Sequence, residues 1–320
     1  MNYLFPQGLQ HDLVLADGSR WIIAAGNEEA ASIISQLCDA MQLRVMSLSS
    51  SLPQTTFGIG RTGAVEPLNH GIVRHLLILV DAHNPKASPA ISHSPLSFED
   101  NGFVVCVLHS FTPNNGLFIQ LVELSLIFAH YAQTLGGVLL HGALVEKDGI
   151  GVILAAPGGT GKTTASERLP APWRSLSDDA TLVVRDSQGN YLAHPWPTWS
   201  RFLNGGQGGR WDVQSNVPVK GIFFLSRAVE DRAESIGPGQ AVSLLVESAG
   251  QTTQLMTRGL SKKETRALHL ERFNNICALA QVVPTHMLHI SLTGAFWQEI
   301  EQMLDGGHRE GARVPVDHNQ

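Results

Sequence analysis

A glycine-rich segment that follows an apolar run carries the residues best suited to chemistry. Residues 151–164 read Gly-Val-Ile-Leu-Ala-Ala-Pro-Gly-Gly-Thr-Gly-Lys-Thr-Thr. The apolar part is typical of a buried strand, and Gly161-Lys162-Thr163 is the core of a phosphate-binding loop. Such a loop directs several backbone N–H groups, and the N-terminus of the next helix, at one oxyanion. The segment therefore predicts a site for a nucleoside triphosphate.

Every residue from the end of the apolar run to the second threonine is expected to border the phosphates. These residues are Ala156, Pro157, Gly158, Gly159, Thr160, Gly161, Lys162, Thr163 and Thr164. The Lys162 ammonium can reach the terminal phosphates, and the Thr163 hydroxyl can hold a magnesium ion. ATP and Mg²⁺ are therefore the predicted ligands.

One residue departs from the usual pattern G-x-x-x-x-G-K-[ST], because Ala156 stands at the first glycine position. Alanine costs little there if the residue has strand-like backbone angles, and more if φ is positive. The alternative interpretation is a glycine-rich turn with a surface lysine.

The pattern around the loop predicts the elements that must position it. Val138–Val145 and Gly151–Ala156 are predicted strands on either side of a Lys147-Asp148-Gly149 turn, which is a hairpin signal. Pro170 marks where the helix after the loop must stop. Further along the chain, the patterns predict a hairpin of Thr181–Arg185 and Tyr191–His194 and two strands, Gly221–Ser226 and Met287–Leu292. They also predict three helices: Gly239–Glu247, a helix that begins at the Ser261 capping box and ends at about Ala280, and Ala295–Leu304.

The first 130 residues show a mixture of strand and helix patterns. Residues 11–25 predict strands around an Asp17-Gly18 turn, and Val73–Val80 and Phe103–Leu108 are short apolar runs typical of strands. Residues 28–43 and Leu117–Leu135 are predicted helices. Residues 82–97 are rich in Pro, Ser, His and Asn and are predicted to be a loop.

Composition excludes several classes of protein. The net charge is −6, and residues 1–130 hold five basic against ten acidic residues, so no basic excess favours nucleic-acid binding. No apolar run reaches the ~18–20 residues that span a membrane, and the N-terminus has no signal-peptide pattern. Three dispersed cysteines, Cys38, Cys106 and Cys277, indicate a reducing compartment rather than a disulfide framework. A cytoplasmic protein is predicted.

The predicted fold class is mixed α/β, with two domains. Residues 1–130 form an N-terminal α+β domain of unknown role. Residues 131–310 form a nucleotide-binding domain with a mostly β core and flanking helices, and residues 311–320 form a frayed tail. The domain with the glycine-rich loop is expected to carry the chemistry, and an oligomer remains possible.

The residues flanking the loop extend the match to a known family. Leu140-His141-Gly142-Ala143-Leu144-Val145 precedes the loop, and Ser175-Leu-Ser-Asp178-Asp179 follows it. This arrangement resembles the HPr kinase/phosphorylase family, whose core is shared with phosphoenolpyruvate carboxykinase. The overlap is strong over about residues 138–185. The overall layout is more similar to HPr-kinase-like proteins of modified-peptide gene cassettes, namely ScmC-type cassette proteins and lasso-peptide precursor kinases.

The resemblance implies a role for each of four residues. Asp179 corresponds to the general base that takes the proton from a Ser hydroxyl, a role that suits a carboxylate. Asp178 would orient Mg²⁺ or its waters, so Thr163 and Asp178 are the predicted metal ligands. His141 has the position of a catalytic-site histidine, and Lys162 completes the catalytic set. The plainer alternatives are a surface acid pair and a histidine buried in the core.

One departure from the family bears on the acceptor. The HPr kinase signature segment after the Asp pair, which supplies a metal-binding Glu, is not recognisable here. The predicted function is an ATP-dependent kinase acting on a Ser or Thr hydroxyl of a peptide or small protein, with a ribosomally made precursor peptide as a candidate. The alternatives are a non-catalytic nucleotide-binding partner of a peptide-modification system and a small-molecule hydroxyl kinase.

Overall fold

The protein folds around two β-sheets with helices packed on them, which confirms the mixed α/β class. The computed structural model describes residues 9–46, 73–81, 97–100, 103–109, 116–157, 159–198, 209–257 and 260–310. No helix in these ranges is both long and apolar enough to cross a membrane.

The first sheet has six strands in the order β3-β1-β2-β4-β6-β5. Its strands are β1 (Gln10–Val14), β2 (Arg20–Ala25), β3 (Arg44–Met46), β4 (Val73–Asp81), β5 (Ser97–Asp100) and β6 (Phe103–His109). Helices α1 (Glu28–Ala40) and α2 (Gly116–Thr134) accompany it. The Asn27 side chain accepts a hydrogen bond from the N–H of Ala30, which fixes where α1 begins. The predicted strands and helices of this half are confirmed, whereas β5 begins at Ser97, at the end of the segment predicted to be a loop.

The second sheet contains nine strands and carries the glycine-rich loop. Its strands are β7 (Val138–Leu140), β8 (Gly142–Lys147), β9 (Ile150–Ala155), β10 (Arg174–Ser177), β11 (Ala180–Arg185), β12 (Tyr191–Trp196), β13 (Val217–Arg227), β14 (Arg232–Ser235) and β15 (Thr285–Ile290). The helices are α3 (Lys162–Arg168), α4 (Pro238–Thr253), α5 (Lys262–Val282) and α6 (Trp297–Glu310).

Both predicted hairpins of this half are confirmed, as antiparallel pairs β8–β9 and β11–β12. The capping box at Ser261 is also present at the start of α5. The single predicted strand Val138–Val145 is wrong in one respect, because it divides at His141 into β7 and β8, which pair with different neighbours. The closing helix, predicted to end at Leu304, continues to Glu310 as α6, and the predicted frayed tail, residues 311–320, lies outside the described ranges.

Strand directions bring the predicted site residues to one edge of the second sheet. Part of the sheet runs β10-β8-β9-β13, with β15 beside β13. Strands β9, β13 and β15 are parallel, and β8 is antiparallel to both β9 and β10. The ends of β10, β9, β13 and β15 and the start of β8 therefore share an edge. The Asp pair, His141 and the glycine-rich loop all lie there.

One apolar core contains side chains from both predicted domains. Trp21 and Phe128 belong to it together with Leu182 and Trp196. The predicted boundary between residues 130 and 131 falls inside α2. The division into domains stays a prediction.

A buried histidine links β12 to the N-terminal part of the chain. His194 is completely buried; its Nε2 accepts from the N–H of Ala16 at 3.1 Å, and its Nδ1 donates to the carbonyl of Val213 at 2.8 Å. The ring is neutral in this arrangement, and burial lowers its pKa. Trp196, two residues after His194 on the same strand, is also fully buried.

We expect His194 to make stability fall in acid. The pKa of His194 is lower in the folded than in the unfolded protein, so stability is lost as pH falls below the unfolded value of ~6.5, by up to ~1.4 kcal/mol per pH unit. His194→Gln removes this loss but also weakens the fold. The difference in free energy of unfolding between wild type and variant should therefore shrink from pH 8 to pH 5 in urea titrations. A constant difference would contradict a neutral buried His194.

Candidate functional site

The glycine-rich loop joins β9 to α3 and has the backbone that its sequence predicts. Gly159 has φ +77° and Gly161 has φ +109°, a left-handed conformation that residues with a Cβ rarely adopt. Ala156 is buried and is not among the residues with positive φ, so the missing glycine at this position causes no backbone strain. Pro157 is exposed, and Gly158 lies outside the described residues. Helix α3 ends at Arg168, before Pro170 as expected.

Lys162, the first residue of α3, points its ammonium back into the loop. Its Nζ donates to the carbonyl of Ala156 at 2.9 Å and lies 3.9 Å from Oδ1 of Asp179. Only 5% of the residue is exposed. Burial lowers the pKa of Lys162, and the Asp179 charge opposes this effect. Lys162 is thus a buried cation beside a carboxylate, which contradicts the interpretation as a surface lysine.

Asp179 is the centre of the site, because three side chains converge on its carboxylate. His141 Nε2 is 2.7 Å from Oδ1, and the Thr198 hydroxyl donates to Oδ2 at 2.7 Å. Lys162 approaches Oδ1 from the loop. Burial alone would raise the pKa of Asp179, but the hydrogen bonds from His141 and Thr198 and the charges of His141 and Lys162 outweigh it, so the pKa is lowered. Asp179 is therefore ionised at neutral pH.

His141 is held in place by helix α4 on the other side of its ring. Its Nδ1 contacts Oε1 of Gln251, its backbone N–H donates to the Ser248 hydroxyl at 3.0 Å, and the same hydroxyl donates to the His141 carbonyl at 3.2 Å. Because the ionised Asp179 carboxylate can only accept, the His141 Nε2 carries the proton in their contact. His141 therefore joins Asp179 to α4 through the two nitrogens of its ring.

Three of these contacts were not anticipated from the sequence. Thr198 follows a Trp-Pro pair, while Ser248 and Gln251 lie in a helix more than 100 residues after His141. Ser248 and Gln251 are polar residues three positions apart and therefore lie on the same face of a helix. This spacing is the only sequence signal that could have indicated that both contact the same residue, His141.

The two predicted metal ligands lie at the same edge. Thr163 is exposed in the first turn of α3, and Asp178 is 5% exposed directly after β10. Across the described part of the chain, no group of three or more His, Cys, Asp or Glu side chains could hold a metal ion. A hydroxyl plus one carboxylate fits Mg²⁺, which usually keeps several waters and is bound through one or two carboxylates plus substrate phosphates.

Other basic residues do not belong to the cluster around Asp179. Arg210 pairs with Asp39 of α1 at 2.5 Å, with both side chains exposed. On α5, Lys262, Lys263 and Arg266 are exposed. Arg272 is an exception, because it is buried and contacts the Thr253 hydroxyl.

The fold and the site together define a mixed α/β protein in which a glycine-rich strand–loop–helix unit faces a partly buried His–Asp–Lys cluster. Residues 104–305, more than half of the chain, match the sequence profile of the family described as SynChlorMet cassette protein ScmC. The chain belongs to this family. No curated protein matches the sequence.

Proposed function

We propose that the chain is an ATP-dependent kinase that transfers the γ-phosphoryl group to a Ser or Thr hydroxyl of a peptide or small protein. The observation that carries the proposal is the ionised Asp179, held between His141, Thr198 and Lys162 next to the glycine-rich loop. A kinase needs a group that accepts the hydroxyl proton within reach of the transferred phosphoryl group. Asp179 meets this requirement, since Lys162 would contact the phosphates.

In the proposed reaction, the acceptor hydroxyl lies between Asp179 and the γ-phosphorus. The hydroxyl oxygen forms a bond to phosphorus, the bond to the bridging oxygen of ADP breaks, and Asp179 takes the hydroxyl proton. Each carboxylate oxygen has two lone pairs, so Asp179 can accept a hydrogen bond from the acceptor hydroxyl while it still accepts those from His141 and Thr198. His141 and Thr198 act as positioning residues.

Cations near the phosphates would offset the charge that the reaction moves. Lys162 supplies one positive charge at the loop, and Thr163 and Asp178 are the residues that would hold Mg²⁺. Bound Mg²⁺ neutralises phosphate charge during transfer. Backbone N–H groups of the glycine-rich loop would orient the same oxygens.

Family membership supports a role within a gene cassette, which the name of the ScmC family mentions. The resemblance to proteins of modified-peptide cassettes makes a peptide the proposed acceptor. The missing HPr kinase signature segment further disfavours a folded HPr partner. A ribosomally made precursor peptide is therefore the proposed acceptor, and a cytoplasmic location, where ATP is available, is part of the proposal. The free cysteines Cys38, Cys106 and Cys277 are compatible with that compartment.

The proposal is tested by incubating the protein with labelled ATP, Mg²⁺ and two acceptors: HPr, and a Ser-containing peptide encoded beside this gene. We expect one phosphoryl group on a Ser or Thr of the peptide, and none on HPr. Calorimetric binding of ATP without any transfer would instead favour the non-catalytic nucleotide-binding partner. Absence of ATP binding would overturn both.

A further inference from the structure

Two loops at the edge with the glycine-rich loop are not used by the proposed transfer chemistry. One loop, residues 228–231, follows β13, and the other, residues 291–294, follows β15. Both lie on the side of β9 that is opposite to His141, since β8 borders β9 on one side and β13 borders it on the other. The carboxyl ends of strands in such sheets are where ligands usually bind.

Hydrogen bonds tie these two loops together. The N–H of Ala228 donates to the carbonyl of Ile290 at 2.9 Å, and the N–H of Ser291 donates to Oδ1 of Asp231 at 2.6 Å. The Ser291 hydroxyl in turn accepts from the N–H of Gly294 at 2.9 Å. The pair therefore forms one connected surface.

Two arginines connect this surface to the glycine-rich loop and its helix. Arg227 donates to the carbonyls of Gly159 at 2.5 Å and Thr160 at 3.4 Å. Arg168, at the end of α3, donates to the carbonyls of Ser291 at 2.8 Å and Gly294 at 2.7 Å. These hydrogen bonds keep the two loops next to any ligand that binds at the glycine-rich loop.

The surface presents two apolar side chains to solvent. Val229 is 93% exposed and Leu292 is 92% exposed, the highest values among the large apolar residues of the described ranges. Single exposed apolar residues are common, but two on neighbouring loops beside a candidate phosphate site provide contact area for a ligand. Burying them against an apolar face would remove both from water.

We infer that the loops after β13 and β15 form the nucleoside side of the triphosphate site, with Val229 and Leu292 as the apolar contacts of the nucleobase. The inference rests on the proposed function. The acceptor must approach Asp179, which lies beyond β8 on the other side of β9, so the γ-phosphoryl end of the nucleotide faces that side. The opposite end, which carries the sugar and base, then points toward β13 and β15.

Dimensions and chemistry agree with this orientation. Neighbouring strands lie ~4.8 Å apart, and β15 ends at Ile290, three residues past the level at which β9 ends at Ala155, so the two ends are about 14 Å apart. A nucleobase has an apolar face that suits Val229 and Leu292. An apolar side chain of the acceptor peptide fits less well, because it would sit on the side away from Asp179.

The test compares two ligands and a double variant, Val229→Ser with Leu292→Ser. Calorimetry measures the Kd of Mg²⁺-ATP and of Mg²⁺-tripolyphosphate, which has no sugar or base. We expect the double variant to bind ATP about tenfold more weakly and tripolyphosphate as tightly as wild type. Leu270→Ser, which changes an exposed leucine on α5, is the matched control and should alter neither value. Both target side chains are exposed, so the fold should persist, as thermal unfolding can verify.

Four outcomes would overturn the inference. If the double variant binds ATP as tightly as wild type, or loses both ligands equally, the surface does not contact the nucleoside, and the proposed function still stands. If the variant instead raises only the KM for the acceptor peptide, the surface belongs to the acceptor. If wild type binds neither ligand, the proposed function fails as well.

Discussion

Replacement of Asp179 by asparagine should reduce the rate of phosphoryl transfer by a factor of about 10²–10⁴, the usual contribution of a general base. Asparagine preserves the shape of the side chain, and its oxygen can still accept from His141. It cannot take the hydroxyl proton, and it removes the negative charge that faces Lys162. ATP binding should change little, because the carboxylate approaches the phosphates only through Lys162. Single-turnover rates and calorimetry on the same preparation separate the two effects.

Asp148→Asn is the matched control for this variant. Asp148 is exposed in the β8–β9 turn with φ +53°, a conformation that asparagine tolerates well, so its rate should equal that of wild type. Asp178→Asn tests the neighbouring acid. This variant is expected to need a higher Mg²⁺ concentration for the same rate, but it should still transfer the phosphoryl group. A wild-type rate in Asp179→Asn would contradict the assignment of the base, and loss of transfer in Asp178→Asn alone would exchange the two roles.

The local part of the site could be predicted because its signals lie within short stretches of sequence. The Gly159 and Gly161 positions need a left-handed backbone, which narrows the choice of residue almost to glycine. The hairpin turn at Asp148-Gly149 fixes how β8 pairs with β9, and thereby places His141 beside the loop. Both are constraints between residues close together in the sequence, so the sequence alone predicts them.

The rest of the site depends on contacts between distant parts of the chain, which a single sequence does not reveal. Gln251 reaches His141 across 110 positions, and Arg227 reaches the glycine-rich loop across more than 60. Strand β10 is only four residues long and has no apolar run to mark it. Its pairing with β8 is nevertheless what brings Asp178 and Asp179 to the loop.

Burial also changes the meaning of residues whose type is ambiguous in the sequence. His141 and His194 both lie in or after apolar strands, yet one faces Asp179 and the other is enclosed by the backbone of two distant segments. Lys162 and Arg272 are likewise basic residues that end up buried. Only the environment of each side chain separates a site residue from a structural one.

Lys162→Met should lower the transfer rate by a factor of about 10²–10³, the loss typical when one donor to a reacting oxyanion is removed. Methionine keeps the unbranched stem that fills the buried space, so the fold should remain. It removes the ammonium that lies 3.9 Å from Asp179, and the Asp179 carboxylate would then face the phosphates without compensation. Binding of ATP should weaken more than binding of ADP, because Lys162 is expected to contact the γ-phosphate.

Calorimetry with both nucleotides and a single-turnover assay measure these losses, with Lys220→Met as the matched control. Lys220 is an exposed lysine of β13, on the same sheet but away from the loop edge, and its variant should match wild type. Equal weakening of ATP and ADP would place Lys162 at the β-phosphate rather than the γ-phosphate. If nucleotide binding and the transfer rate are both unchanged, Lys162 only donates its hydrogen bond to the Ala156 carbonyl. The glycine-rich loop would then no longer be assigned as the phosphate site.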